Sequence, residues 1–210
     1  MKIFDCTTYY NENLMLEVRF NILNKYIDKF VIVEAKYSHS GEKKKLNFNI
    51  NKFAEFKKKI IYLTIDNEPE NIVYQKKNNT FFENETDKRT NSIKRINYQR
   101  DRLIDGLADA GNDDYILYSD DDEIPNLENF NFNKNKNKIL IFKQKLFYYK
   151  FNLFFDRISW FGTKGCKKKN LLSFSWLRDL KSKKYPTYRL DTIFSKIKYM
   201  NTKVIENGGW

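Results

Sequence analysis

Tyr115-Ile116-Leu117-Tyr118-Ser119-Asp120-Asp121-Asp122-Glu123-Ile124-Pro125 joins an unbroken apolar run of strand length to four consecutive acids. A short apolar run bounded by a turn reads as a buried strand. The first half of the chain repeats the pattern. Ile3 to Thr7, Phe30-Val31-Ile32-Val33 (ending at Glu34) and Ile60 to Ile65 read as three earlier strands. Helical segments separate them. Leu16, Phe20, Leu23 and Ile27 form one apolar stripe, with Asn11 as the expected N-cap and Glu12 in the first turn. Asn51 to Lys59 suggests a short helix. Ile93 to Ala110 is the clearest helix, stopped by Gly111-Asn112-Asp113.

This alternation predicts an α/β fold with a largely parallel central sheet covered on both faces. Ligands of such sheets bind outside the carboxyl ends of the strands, where Glu34 and Asp120 both fall. Asn67 to Thr90 is polar and aperiodic and reads as a long excursion. Beyond Asn126 the pattern weakens, with Ile139 to Phe142 and Lys145 to Phe151 as further strands. Residues 1–210 carry no repeat and no linker, so a single domain is expected.

A hydrophobic fraction of 41% and an aromatic fraction of 17% exclude wholesale disorder. The net charge of +12 favours anionic partners. Its lysines are dispersed, so a solvated surface is the plain explanation, and peripheral contact with an anionic membrane is the leading functional one. Cys6 and Cys166 lack metal-ligand spacing. The acidic Asp5 interrupts any signal-peptide core, and no run approaches the roughly 20 apolar residues of a bilayer span. A cytoplasmic or membrane-peripheral protein is expected.

Four adjacent acids repel one another unless a cation compensates. Oxygen ligands suit Mg²⁺ or Mn²⁺, and Asp120 and Asp122 can project to one side of an extended segment. A helix start favouring acids is the structural alternative. In the preceding helix Ile93, Ile96, Arg100, Leu103 and Leu107 share a stripe, so Arg100 must meet a nucleotide phosphate, an acidic-loop carboxylate or a structural partner such as Asp101. The junction at Tyr9, Tyr10, Asn11 and Glu12 offers backbone N–H groups to anions and rings to a base. His39 reads as a surface-loop histidine.

Four segments together resemble glycosyltransferase family 17, which includes the β-1,4-mannosyl-glycoprotein N-acetylglucosaminyltransferases. They are Phe4-Asp5-Cys6 with Tyr10-Asn11-Glu12 and Leu16-Glu17-Val18-Arg19; Asp28 to Glu34 with Gly41; Gln99-Arg100-Asp101; and Ser119 to Pro125. Trp160-Phe161-Gly162-Thr163, Arg178 and Gly209-Trp210 add weaker matches. The resemblance implies a GT-A fold, a UDP-sugar donor with N-acetylglucosamine as the precedent, a glycan or glycolipid acceptor, and Mn²⁺ or Mg²⁺. It places the metal on Asp120 and Asp122, and the donor against Tyr10, Asn11, Glu12, Glu34, Arg100 and Asp120. It further implies inverting transfer with a carboxylate base, for which Glu206, Asp191 and Glu123 are candidates in that order. Where the family motif has an apolar residue between its aspartates, this chain has Asp121. Relatives continue past Gly-Trp into a histidine, so a C-terminus trimmed relative to the family is expected.

Two other functions are weighed. A basic nucleic-acid or surface binder leaves Asp120 to Glu123 unexplained, because four acids repel a phosphate backbone; no nucleic-acid partner is expected. A nucleotidyltransferase would want a Gly-rich basic loop after the first strand, and Thr7 to Asn13 has neither Gly nor Lys.

Overall fold

A computed structural model describes residues 1–74, 79–148, 153–183, 185–186, 188–198 and 201–210. In chain order its elements are β1 (Ile3–Tyr9), α1 (Asn13–Leu23), β2 (Lys29–Ala35), β3 (Ile60–Ile65), α2 (Phe81–Asp101), β4 (Tyr115–Ser119), β5 (Ile139–Phe147), β6 (Phe154–Lys167), α3 (Phe174–Asp179), α4 (Asp191–Phe194) and β7 (Thr202–Ile205). The strands form one sheet in the order β3-β2-β1-β4-β6-β5-β7. β6 alone runs against its neighbours β4 and β5, and the other pairs are parallel. The carboxyl ends of β1, β2, β4 and β7 therefore share one edge.

Side-chain alternation explains why these strands are apolar throughout. Ile116 and Tyr118 join Phe4, Cys6, Val31 and Leu103 on one face, while Tyr115 and Leu117 join Leu16, Phe20, Phe30 and Leu140 on the other. Both faces are covered, as expected. Leu16, Phe20, Leu23 and Ile27 are all buried, so the stripe in the first helical segment is real.

Several local expectations are corrected. The Asn11 side chain is not the cap of α1. Glu12 stands at the N-cap without a side-chain cap bond, and its carboxylate accepts from the Tyr10 and Asn11 amides at 3.1 and 2.7 Å. The predicted polar excursion ends in helix, because α2 begins at Phe81. There Thr80 and Glu83 form a reciprocal capping box, which satisfies orphan N–H groups without any apolar periodicity. The predicted helix from Ile93 to Ala110 is α2 followed by a 3₁₀ turn over Arg102–Leu107. Its buried face is Asn91, Arg95 and Gln99, while Ile93 is 48% exposed. Polar residues occupy that face because each finds a partner: Asn91 bonds the Val73 backbone, Arg95 pairs with Glu68, and Gln99 bonds the Val33 carbonyl. The strand expected from Lys145 belongs to β5, which begins at Ile139; Phe151 lies outside the described residues. Cys6 and Cys166 are buried free thiols. Among the described residues no helix is long and apolar enough to cross a membrane.

Candidate active site

At the shared carboxyl edge, the ends of β1 and β2 open into a cavity of about 440 Å³ whose lining includes Tyr10, Glu12, His39, Lys44, Gln99 and Asp121. Tyr10 is 49% exposed, and the Lys44 ammonium stands 5.0 Å from its ring centroid. Glu34 lies deeper, fully buried near the end of β2. Its carboxylate accepts from the Asn47 and Phe48 amides at 2.8 and 3.1 Å, from Tyr62 Oη at 2.8 Å, and from Lys44 Nζ. Glu34 thus shapes the wall through the segment carrying Lys44 to Phe48. Asn11, between Tyr10 and Glu12 in the chain, is exposed and outside that lining.

The acidic loop leaves β4 over two guanidinium groups. Arg100 Nε donates to Tyr118 Oη at 2.8 Å, Tyr118 Oη donates to Asp120 Oδ1 at 2.8 Å, and Arg100 Nη2 reaches the same oxygen at 3.2 Å. Arg100 thus makes the contact with an acidic-loop carboxylate that the sequence left open to it. Arg178, from α3, spans two acids: Nη2 lies 2.8 Å from Asp120 Oδ2, and Nη1 lies 2.7 Å from Glu123 Oε2. Glu123 also accepts from Trp160 Nε1 at 2.8 Å and from the Asp120 amide at 3.0 Å.

Beneath the loop, Arg19 of α1 is completely buried. It forms two bonds to Asp5 of β1 and donates to the Glu123 carbonyl at 2.8 Å and to Ser119 Oγ at 3.0 Å. Its partners fix where β4 ends and how the acids turn.

The four acids therefore differ electrically. Burial opposes ionisation of Asp120, but Arg178 and Arg100 outweigh it and hold the carboxyl below its ordinary range. At Asp121 the balance goes the other way: burial, then the charges of Glu12 and Asp122, push it up to about 7. Asp122 is exposed, and local desolvation, then Glu123 and Asp120, raise it too. Asp121 and Asp122 thus resist ionisation among crowded carboxylates, a repulsion that nearby positive charge relieves. Among the described residues no group of three or more His, Cys, Asp or Glu is arranged to hold a metal ion.

The predicted bases lie apart from one another. Glu123 is in the loop. Asp191, in α4, is tied to Arg189 and Lys198. Glu206 follows β7, is 67% exposed at its side chain and pairs with Lys143 at 3.1 Å. The tail after Glu206 runs back to the loop, where Ile124 and Trp210 exchange backbone bonds of 2.6 and 3.1 Å. Gly209 makes this approach possible, since its φ is +123° and a Cβ there would lie 2.0 Å from the Ile124 carbonyl oxygen.

Sequence reasoning missed Arg19 as the loop's internal support, and Arg178 and Trp160 as its outer clamps. For Arg19 a signal existed. It sits on the apolar side of α1 beside Leu16 and Phe20, while Asp5 interrupts an apolar strand, so two charges bound for the core require each other. Arg178 and Trp160 reach Glu123 only across the fold.

No curated protein matches the chain. The model of glycosyltransferase family 17 matches residues 1–182 of the 210, a span that contains β1, α1, β2, Arg100, the acidic loop, Trp160 and Arg178. Nearly the whole carboxyl-edge site is built from residues inside that match, and the chain belongs to glycosyltransferase family 17 and is a glycosyltransferase.

Proposed function

We propose that the chain is a metal-dependent, inverting glycosyltransferase of the GT-A type that moves a sugar, with N-acetylglucosamine as the family precedent, from a UDP-sugar to a glycan. The observation that carries this is the contrast within the acidic loop: Asp120 is engaged by two guanidinium groups, whereas Asp121 lines the cavity at the strand ends and Asp122, next to it in the chain, is exposed. The parallel half of the sheet, with its ligand edge at β1, β2 and β4, supports the GT-A reading.

Asp122 would hold Mn²⁺ or Mg²⁺ directly, with Asp120 contributing chiefly through its charge, because both its oxygens already take guanidinium or phenol donors. The metal, when bound, supplies charge neutralisation for the departing nucleoside diphosphate. Arg100 and Arg178 fix the loop and add positive potential at the same point. Tyr10 offers a ring for the base, and Glu12 and Asn11 shape the rim around it. Glu34 positions the Lys44 segment. Glu206 is the carboxylate we assign to take the acceptor proton, since it follows β7 at the carboxyl edge of the sheet.

The test is calorimetric titration of UDP and UDP-sugars with and without Mn²⁺, comparing wild type with Asp122→Ala. Metal-dependent affinity that falls about tenfold or more in the variant supports the reading; tenfold corresponds to about 1.4 kcal/mol. Salt-sensitive nucleic-acid binding without nucleotide-sugar affinity would sink it.

A further inference from the structure

Trp160 is the last exposed residue of β6 before the strand enters the core: Gly162 to Cys166 are buried, while Trp160 is 37% exposed. Its single polar atom is already used. Nε1 donates to Glu123 Oε1 at 2.8 Å, and Glu123 is itself only 4% exposed and gripped by Arg178 through bonds of 2.7 and 2.9 Å. The indole is thus bolted to the residue that anchors the acidic loop, and with Nε1 engaged the rest of the ring is apolar carbon, part of it open to solvent.

Two neighbours make this placement specific. A Cβ on Gly162 would lie 2.0 Å from Gln144 Oε1 and 2.8 Å from Glu123 Cδ, so only glycine lets β6 press close enough for the indole to reach Glu123. Gln144, the cross-strand partner of Trp160, is buried, accepts from the Thr163 amide at 2.7 Å and donates to the Trp210 carbonyl at 3.3 Å. Register and ring are both fixed before any ligand arrives, and a surface fixed in advance loses little entropy on binding.

The lining of the cavity at Tyr10 and Asp121 does not include Trp160. The loop therefore turns Asp121 toward that cavity and Glu123 toward the indole. A glycosyltransferase needs a second substrate on the other side of the transferred sugar from the nucleotide. An aromatic face carries negative charge density at its centre, and a pyranose ring presents weakly positive C–H groups on its faces, with its hydroxyls around the edge. The two surfaces are complementary.

We propose that Trp160 is the platform of the acceptor subsite, on which a pyranose ring of the acceptor glycan stacks. This rests on the glycosyltransferase assignment and on a donor at the Tyr10 cavity.

The experiment measures binding of labelled protein to an array of immobilised oligosaccharides in the presence of UDP and Mn²⁺, alongside UDP affinity by calorimetry. It compares wild type, Trp160→Phe and Trp160→Leu. Both variants lose the bond to Glu123 and keep an apolar side chain, so any structural cost is common to them and only the aromatic face differs. Trp160→Leu should weaken glycan binding roughly five- to tenfold relative to Trp160→Phe, with equal UDP affinity in the two. Equal glycan binding by Phe and Leu variants overturns the platform, as does wild-type protein that binds UDP but no glycan. A parallel loss of UDP affinity and melting temperature in both variants also overturns it, by making Trp160 a structural lid on Glu123. Absence of UDP binding in wild type removes the donor reading itself, and the subsite with it.

Discussion

Arg19 and Asp5 meet through two parallel hydrogen bonds of 2.6 Å, Nε to Oδ2 and Nη2 to Oδ1, with both side chains sealed from water. The pair is the internal post of the acidic loop, because the same guanidinium holds the Ser119 hydroxyl and the Glu123 carbonyl. Breaking a buried pair strands a charge. Asp5→Asn or Arg19→Met should each cost about 3–5 kcal/mol in urea denaturation. Asp5→Leu combined with Arg19→Met should recover most of that loss, since no charge is left buried. UDP affinity should stay impaired in the double variant, because the loop has lost its post. Recovery of affinity along with stability would show that the pair serves folding alone.

Arg178 couples two acids that the sequence places three apart. Arg178→Lys keeps the charge but loses the fork that reaches Asp120 and Glu123 together. A stability loss of about 1–3 kcal/mol is expected, with weaker Mn²⁺-dependent UDP binding. Arg178→Gln should be worse, as it leaves the Glu123 carboxylate buried without its cation. Adding Glu123→Gln should then be less than additive, which a double-mutant cycle reads directly.

These two networks mark the limit of what the sequence made legible. Period and length sufficed for the strands at Phe30 and Tyr115, because strands buried on both faces must be apolar at every position. The start of α2 was hidden because its signal is the Thr80–Glu83 capping box rather than a stripe, and its inward face is polar. The acidic run stood out as composition, but the pairing that sets Asp120 apart from Asp121 and Asp122 depends on Arg100 and Arg178, and Arg178 lies more than 50 residues away. Long-range guanidinium contacts have no periodicity to read.

Lys164 gives a pH signature. It is buried on β6, with Nζ donating to the Leu180 carbonyl at 2.8 Å and to that of Arg178. Burial, then the nearby Arg178 charge, lowers its pKa to about 8. An unfolded lysine titrates near 10.4. Between those values the unfolded chain binds the extra proton, so stability contributed by this group rises from about pH 8 to about pH 10.4 and is lost as pH falls through 8. The gain should reach about 3 kcal/mol at most. Denaturant midpoints across this window should climb for wild type relative to Lys164→Met; parallel profiles would contradict the lowered pKa.

The three candidate bases separate by what already holds them. Asp191 is kept anionic first by Arg189 and then by Lys198, well below the ordinary carboxylate range, which makes it a weak proton acceptor. Both Glu123 oxygens are taken, by Arg178 on each and Trp160 on one. Glu206 pairs with Lys143 at 3.1 Å, stands at the carboxyl end of β7, and begins the tail whose last residue bonds Ile124. Glu206→Gln should therefore lower kcat by about 10²–10⁴ while UDP affinity holds, the range expected when a general base is lost. Asp191→Asn should change kcat less than about threefold, far short of that range. Glu123→Gln should act mainly through stability and donor affinity. A large kcat loss in Asp191→Asn with none in Glu206→Gln would move the proton acceptor from β7 to α4.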